Sequence, residues 1–303
     1  MNIDRRRFLQ NSAVVLGGMP MFTFFKFLPE YQGNKLDHIE IYNTKWGFGG
    51  SLESFCSQSK ALGYDGIEVW VPAEIEARKN LVNVAKDHGL KLGLLAGNNG
   101  DSPEAHLQSY KDSISNALEC EPSFINCHAG KDYFTFEENS LFIEHSIAKE
   151  SETGIPIHHE SHRGRILFNA VTAEQFLKAY DQLFLTLDIS HWTVVHESLL
   201  GDQKERVDLA LSRTRHVHSR VGFQEAPQIP NPSSEHYENA VKAHFAWWDR
   251  IVDEKAKKGA ALTMTTEFGP PPYMWTHPDT GKPLAEVWDM NVMMMKMWKE
   301  RYG

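Results

Sequence analysis

Residues 154–165 read GIPIHHESHRGR. The apolar opening has the character of a buried strand, yet it runs straight into His158, His159, Glu160, His162, Arg163 and Arg165. A strand that ends in so much titratable chemistry points to a site built at its C-terminal end. The pattern is not local. An apolar or β-branched run, then a polar loop, then a stretch with helical spacing recurs along the chain. The runs are 38–42, 66–70, 90–95, 123–128, 155–160, 183–188, 216–220 and 261–267; the helical stretches lie near 51–62, 74–88, 103–119, 136–152, 173–181, 202–213, 236–258 and 285–301. Eight strands alternating with eight helices predict an α/β fold, a single-domain (β/α)8 TIM barrel. An open doubly wound sheet is the structural competitor. Residues 37–303 form the body, close to the roughly 250 residues typical of the barrel. No composition shift or low-complexity linker divides it. The longest irregular piece, 221–234, carries Pro227, Pro230 and Pro232. It follows strand seven, on the face where barrel loops build sites.

The 303-residue chain is 41% hydrophobic, enough for a full core, and has a formal net charge of −9. That balance argues against nucleic acid or an anionic membrane as the main partner. Cys56, Cys120 and Cys127 show no CxxC or finger spacing, and their odd number argues against a disulfide framework. Residues 1–36 read differently. Asp4-Arg5-Arg6-Arg7-Phe8-Leu9-Gln10 precedes a mostly apolar stretch, 13–28. This resembles a twin-arginine export signal and implies export of the folded protein to the periplasm, with the leader as its one membrane contact. No Ala-x-Ala cleavage site is evident, and no cysteine stands where a lipobox would need one.

The ends of strands five to eight carry Glu160, Asp188, His218 and Glu267, each about one βα unit from the last. Alternation places Phe184, Thr186 and Asp188 on one strand face, His216, His218 and Arg220 on another, and Thr263, Thr265 and Glu267 on a third. With those faces inward, the four end residues converge above the barrel centre. Two Glu, one Asp and one His are a hard, mostly oxygen donor set. It suits one divalent ion, Mn²⁺ or Mg²⁺ first, with Co²⁺ and Zn²⁺ also compatible. Three carboxylates packed without a cation would raise each other's pKa values.

Together with GYDGIEVW, LDISHW, HVHSR and TEFGPPPY, the HHESHRGR stretch resembles the xylose isomerase-like barrels, over roughly the whole body. That family includes sugar isomerases and epimerases, inosose dehydratase and endonuclease IV-type enzymes. In its ketose 3-epimerase branch a Glu, Asp, His, Glu set holds the metal, which implies Glu160, Asp188, His218 and Glu267 here. By residue type His216 serves as well as His218; the strand end and the second His of the family's His-x-His favour His218. The Asp-x-x-His pattern implies that His191 contacts substrate. Two positions depart from the epimerase pattern: Ile166 replaces a Glu, and Gln224 replaces an Arg. Arg163, Arg165 and Arg220 are the alternative cations for a substrate shell.

Further substrate-binding candidates are Glu68 at the end of strand two, His128 at the end of strand four, His162 and Trp46. His158 and His216 are candidates for support behind the ligands. For each, packing or solvation is the competing explanation. Glu160 and Glu267 are the expected acid–base pair. The resemblance implies proton abstraction beside a carbonyl on a sugar or keto-sugar, giving isomerisation or epimerisation. Elimination or hydration of a keto-sugar or inosose on the same platform is the alternative reaction. A non-catalytic sugar-binding barrel is the alternative of another class. The acidic charge weighs against a nuclease.

Overall fold

The structure, a computed structural model, describes residues 27–303. Arg5, Arg6 and the apolar stretch through residue 26 lie outside the described residues. The elements run β1 (Glu40–Thr44), α1 (Leu52–Leu62), β2 (Gly66–Trp70), α2 (Ile75–Asp87), β3 (Lys91–Gly97), α3 (Pro103–Leu118), β4 (Phe124–His128), α4 (Phe136–Thr153), β5 (Ile157–Glu160), α5 (Ala170–Ala179), β6 (Leu185–Leu187), α6 (Ser190–Val195), α7 (Lys204–Ser212), β7 (Thr214–His218), a 3-10 turn (Glu235–Tyr237), α8 (Glu238–Lys258), β8 (Thr263–Thr266) and α9 (Val287–Tyr302). All eight strands pair in parallel and in sequence order. The sheet closes where β1 meets β8, with Tyr42 opposite Thr265. This is the expected (β/α)8 barrel.

Local chemistry sets the helix starts. Ser51, Ser102 and Asn169 accept backbone N–H bonds at the N-termini of α1, α3 and α5, and Thr135 with Glu138 forms a capping box on α4. The outward strand residues Ile41, Ile67, Leu94, Ile125, Leu185, Val217 and Met264 are fully covered by the helix layer. Each such side chain contributes about 1.5–3 kcal/mol of burial. Inside the barrel, Tyr42 and Phe124 pack with ring centroids 5.1 Å apart, and Phe124 lies 4.3 Å from His216. Gly66 and Gly93 make that layer fit. A Cβ at either would sit 2.3 Å from the Tyr42 ring or 2.4 Å from the Phe124 ring. These rings fill the floor, and the next inward residues toward the C-terminal ends are polar.

Two features depart from the sequence reading. The helix α6 follows β6 at once, because the Asp188 side chain accepts the backbone N–H of Ser190 at 3.1 Å and starts a turn there. Residues 27–36, grouped with the leader on sequence, pack on the barrel. Phe27, Leu28, Tyr31 and Leu36 lie against the core, Asn34 bonds Asp253, and Arg301 donates to the Pro29 carbonyl at 2.9 Å. Among the described residues no helix is long and apolar enough to cross a membrane.

The loop after β7 is tied to α8 through a buried histidine. His244 Nε2 accepts the Gly222 N–H at 3.2 Å, and its Nδ1 donates to the Ala240 carbonyl at 2.8 Å. Burial lowers its pKa to about 4, the Ala240 bond opposing in part. The unfolded chain binds this proton near pH 6.5, the folded chain only near 4. Stability from this residue is therefore present above about pH 6.5 and is lost as pH falls toward 4. Native protein should lose thermal stability more steeply between pH 6.5 and 4 than a His244→Asn variant; equal slopes in scanning calorimetry would count against the assignment.

Candidate metal centre and its cavity

Glu160, Asp188, His218 and Glu267 come together as expected. One ligand-type atom of each lies within 4.8 Å of the others, and all four residues are buried. His218 is the last residue of β7. Its Nδ1 stands 2.8 Å from Glu267 Oε2 and 3.5 Å from Glu160 Oε2. Neither Nδ1 nor Glu267 Oε2 has a hydrogen-bond partner, and Glu160 Oε1 is equally bare. Buried polar atoms are normally satisfied, so orphans on three of the four gathered residues fit a further partner at the group. Two ligands about 2.1 Å from one ion and at right angles lie about 3 Å apart, which matches the 2.8 Å contact. The donor set therefore fits a divalent cation.

The opposite side of the His218 ring explains which nitrogen is bare. Nε2 lies 2.9 Å from Glu68 Oε2, an arrangement that holds a proton on Nε2, so Nδ1 is the nitrogen that would turn to a cation in place of its own proton. Asn126 braces the group. Its Nδ2 donates to Glu160 Oε2 at 2.7 Å and to Glu68 Oε1 at 3.1 Å. A second grouping, Glu68 with His216 and His218, is a weaker metal candidate, because both His216 nitrogens already meet the hydroxyls of Thr263 and Thr265. Replacing Glu68 by Gln should keep the fold and lower Mn²⁺ affinity about 10–100-fold, as outer-shell changes do. Titration calorimetry with Mn²⁺ checks this, and an unchanged Kd would remove Glu68 from the role.

The electrostatics of the bare site favour added positive charge. Burial pushes the Asp188 carboxyl up to about 6; Arg220 pulls it down, while Glu267 and Glu160 push it up again. Burial works to lower His218, but the charges of Glu267, Glu68 and Glu160 outweigh it and hold the imidazole well above its usual range. Arg220 supplies one permanent cation. It is buried, bonds Asp188 Oδ2, lies 3.5 Å from Glu267 Oε2 and packs 4.7 Å from the Tyr273 ring centroid.

Above this group opens a cavity of about 560 Å³, walled by Trp46, Trp70, His128, His162, Arg165, Arg220, Glu267 and Tyr273 among others. Of the expected substrate residues, Trp46, His128, His162, Arg165, Arg220 and Glu68 line it. His128 Nε2 also meets Glu160 Oε2 at 2.7 Å. Burial lowers His162 to about 3, with the charge on His128 acting the same way. The carboxylate of Glu68 also meets His218 and Asn126. His191 and Arg163 do not line the cavity. His191 is fully buried, with Nε2 2.8 Å from Arg220 and its ring 3.9 Å from His162. Arg163 packs 4.8 Å from the Tyr273 centroid. His216 sits behind the ligands, 3.4 Å from Glu68 Oε2. His158 faces inward but stacks near Phe124, 5.8 Å between centroids, and has no hydrogen bond to any of the four ligands. Its position in the strand puts it one inward step below Glu160. The residue that sequence reasoning missed is Asn126. Its signal was present: it stands between Phe124 and His128 on the inward face of β4.

A closed parallel barrel with inward acids and histidine at successive strand ends defines the class: a (β/α)8 barrel with its site at the C-terminal mouth. Residues 56–226 match the xylose isomerase-like TIM barrel family, and the chain belongs to that family. No curated protein matches it. Among solved structures it is similar to 3-keto-D-glucoside 4-epimerase, YcjR, from E. coli, with a TM-score of 0.58 and 14% identity over 87% of this chain and 100% of that one. It is also similar to the probable 3-DHS dehydratase AsbF from Bacillus anthracis, at 0.58 and 14% over 87% and 100%. D-allulose 3-epimerase from Methylomonas sp. gives 0.57 and 14% over 90% and 100%. At such identities the likeness is one of fold.

Proposed function

We propose that this protein is a metal-dependent enzyme of the sugar isomerase and epimerase type, acting on a keto-sugar by proton abstraction next to the carbonyl. The carrying observation is the convergence of Glu160, Asp188, His218 and Glu267, with three bare ligand atoms, under an open cavity. These four residues would hold the ion, Mn²⁺ first, with Mg²⁺, Co²⁺ or Zn²⁺ as alternatives on the hard donor set. When bound, the ion polarises sugar oxygens and makes the neighbouring C–H more acidic.

The remaining steps belong to the chain. Glu267 lines the cavity and takes the proton from the carbon beside the carbonyl. The C–H electron pair passes into the enediolate. Arg220 stands beside Glu267 as fixed positive charge. Glu160, held as a carboxylate by Asn126 and His128, is the partner group: it takes up a proton from solvent as Glu267 gives its own back to solvent, and passes that proton to the enediolate. Trp46 and Tyr273, 4.9 Å apart, give the ring an apolar wall. A non-catalytic sugar-binding barrel would gain nothing from three buried carboxylates, whose mutual repulsion is costly.

One observation favours elimination as a second reading. Ile166, where the epimerase pattern has a Glu, is buried in the apolar core and offers no substrate contact. The same α-proton removal followed by departure of a β-oxygen gives a lyase. The test is NMR of the Mn²⁺-loaded protein with a keto-sugar panel in deuterated water. Solvent deuterium at the carbon beside the carbonyl is expected; an unsaturated product identifies elimination. Turnover with no label, with proton shielding excluded, would contradict stepwise proton transfer.

Export to the periplasm by the twin-arginine route is likewise proposed, on Arg5-Arg6 and the apolar stretch behind them. Changing both to Lys should leave the protein in the cytoplasm, and unchanged fractionation would reject the route.

A further inference from the structure

We infer that the substrate has two sugar rings, the second seated in a groove beside the barrel mouth; this rests on the keto-sugar reading above. The groove, of about 450 Å³, adjoins the main cavity, and the two share Trp70 and Arg165 as walls. Each lies within the roughly 300–1,000 Å³ usual for small-ligand sites. Trp70 ends β2 and is 52% exposed, an uneconomical position for a large apolar ring. It is nonetheless fixed. His128 packs edge-on at 5.0 Å, and Gly97 leaves the space the ring occupies, since a Cβ there would lie 2.9 Å from Trp70 Cζ3. A fixed, half-exposed aromatic face between two adjoining hollows is a platform for an amphipathic ring.

The far wall is amide and hydroxyl: Asn98, Asn99, Asn116 and Ser109. Two of the groove's polar atoms are buried without partners, Asn98 Oδ1 and Arg165 Nη1. One accepts and the other donates, which is the complement of a sugar hydroxyl. Asp112, which accepts from Gln108 at 2.9 Å, and Arg165 are the charged residues of the lining and balance each other, so the groove suits a neutral, hydroxyl-rich ring.

The test compares a one-ring probe, methyl 3-keto-glucopyranoside, with two-ring probes, 3-keto-lactose, 3-keto-maltose and 3-keto-sucrose, on the Mn²⁺-loaded protein. Two variants change only the groove: Ala73→Trp fills it, and Asn116→Leu removes an amide. The native protein should show kcat/KM at least tenfold higher for a two-ring probe. Both variants should bring that ratio near one while the one-ring value stays within twofold. A native ratio of one or below, or a ratio unchanged in Ala73→Trp, overturns the inference. Turnover of no probe would defeat the keto-sugar reading instead. The groove is then judged by saturation-transfer NMR with lactose, maltose and sucrose: transfer abolished by Ala73→Trp supports it, and no transfer, or transfer unaffected, overturns it.

Discussion

Glu267→Gln should turn over the preferred keto-sugar about a thousandfold more slowly than the native protein, at saturating Mn²⁺ and with little change in KM. Gln keeps an oxygen at the position where Glu267 meets the ligand group, so binding survives. It cannot accept the substrate proton. General acid–base groups contribute roughly 10²–10⁴-fold, and equal losses in kcat and kcat/KM mark an interaction made in the transition state. Glu267 lines the cavity, and Gln has the same shape as Glu, so the change leaves the packing of the site in place. Steady-state kinetics beside a melting curve separates chemistry from folding. A variant within tenfold of native kcat would show that another group removes the proton.

Metal removal should be the second large effect. Stripping with a chelator should abolish turnover, and 1 mM Mn²⁺ should restore it. For a site with Kd near 1 µM, that concentration adds about 4 kcal/mol to stability. In a domain of this size the gain corresponds to about 7 °C in Tm. The stripped protein should also melt at a temperature that Mn²⁺ does not raise once His218 is replaced by Ala. Removing that ring deletes Nδ1, the one nitrogen donor of the set, while Glu68 and Asn126 lose a shared partner. If native and His218→Ala proteins gain equally from Mn²⁺, the ion binds elsewhere.

The barrel was legible because each strand writes its period in residue types. In β8, Thr263 and Thr265 alternate with Met264 and Thr266, and the ring of strands follows chain order. The candidate ligand set was legible for the same reason: Asp188, His218 and Glu267 continue the inward faces of their strands. What sequence could not give is height. His218 pairs with Thr265, Thr265 with Tyr42, and Tyr42 with Gly66, so Glu68 stands one inward step above the rung of His218. That stagger belongs to barrel closure, not to either strand. It brings Glu68, which also lines the cavity, to His218 Nε2. It also sinks His158 below the ligands. Asn126 escaped notice because an amide does not declare itself as chemistry, although it touches Glu68 and Glu160 at once. His191 was expected at substrate from the Asp-x-x-His pattern; the short helix α6 lays it against Arg220 and His162, which line the cavity. The groove past Trp70 was invisible because its walls come from β2, β3, α3 and the loop after β5.

The most direct measurement is anomalous diffraction from a crystal soaked in Mn²⁺. The account predicts one strong peak among Glu160, Asp188, His218 Nδ1 and Glu267, with ligand distances of about 2.0–2.3 Å. A peak on Glu68, His216 and His218 Nε2, or no peak in the barrel, would contradict it.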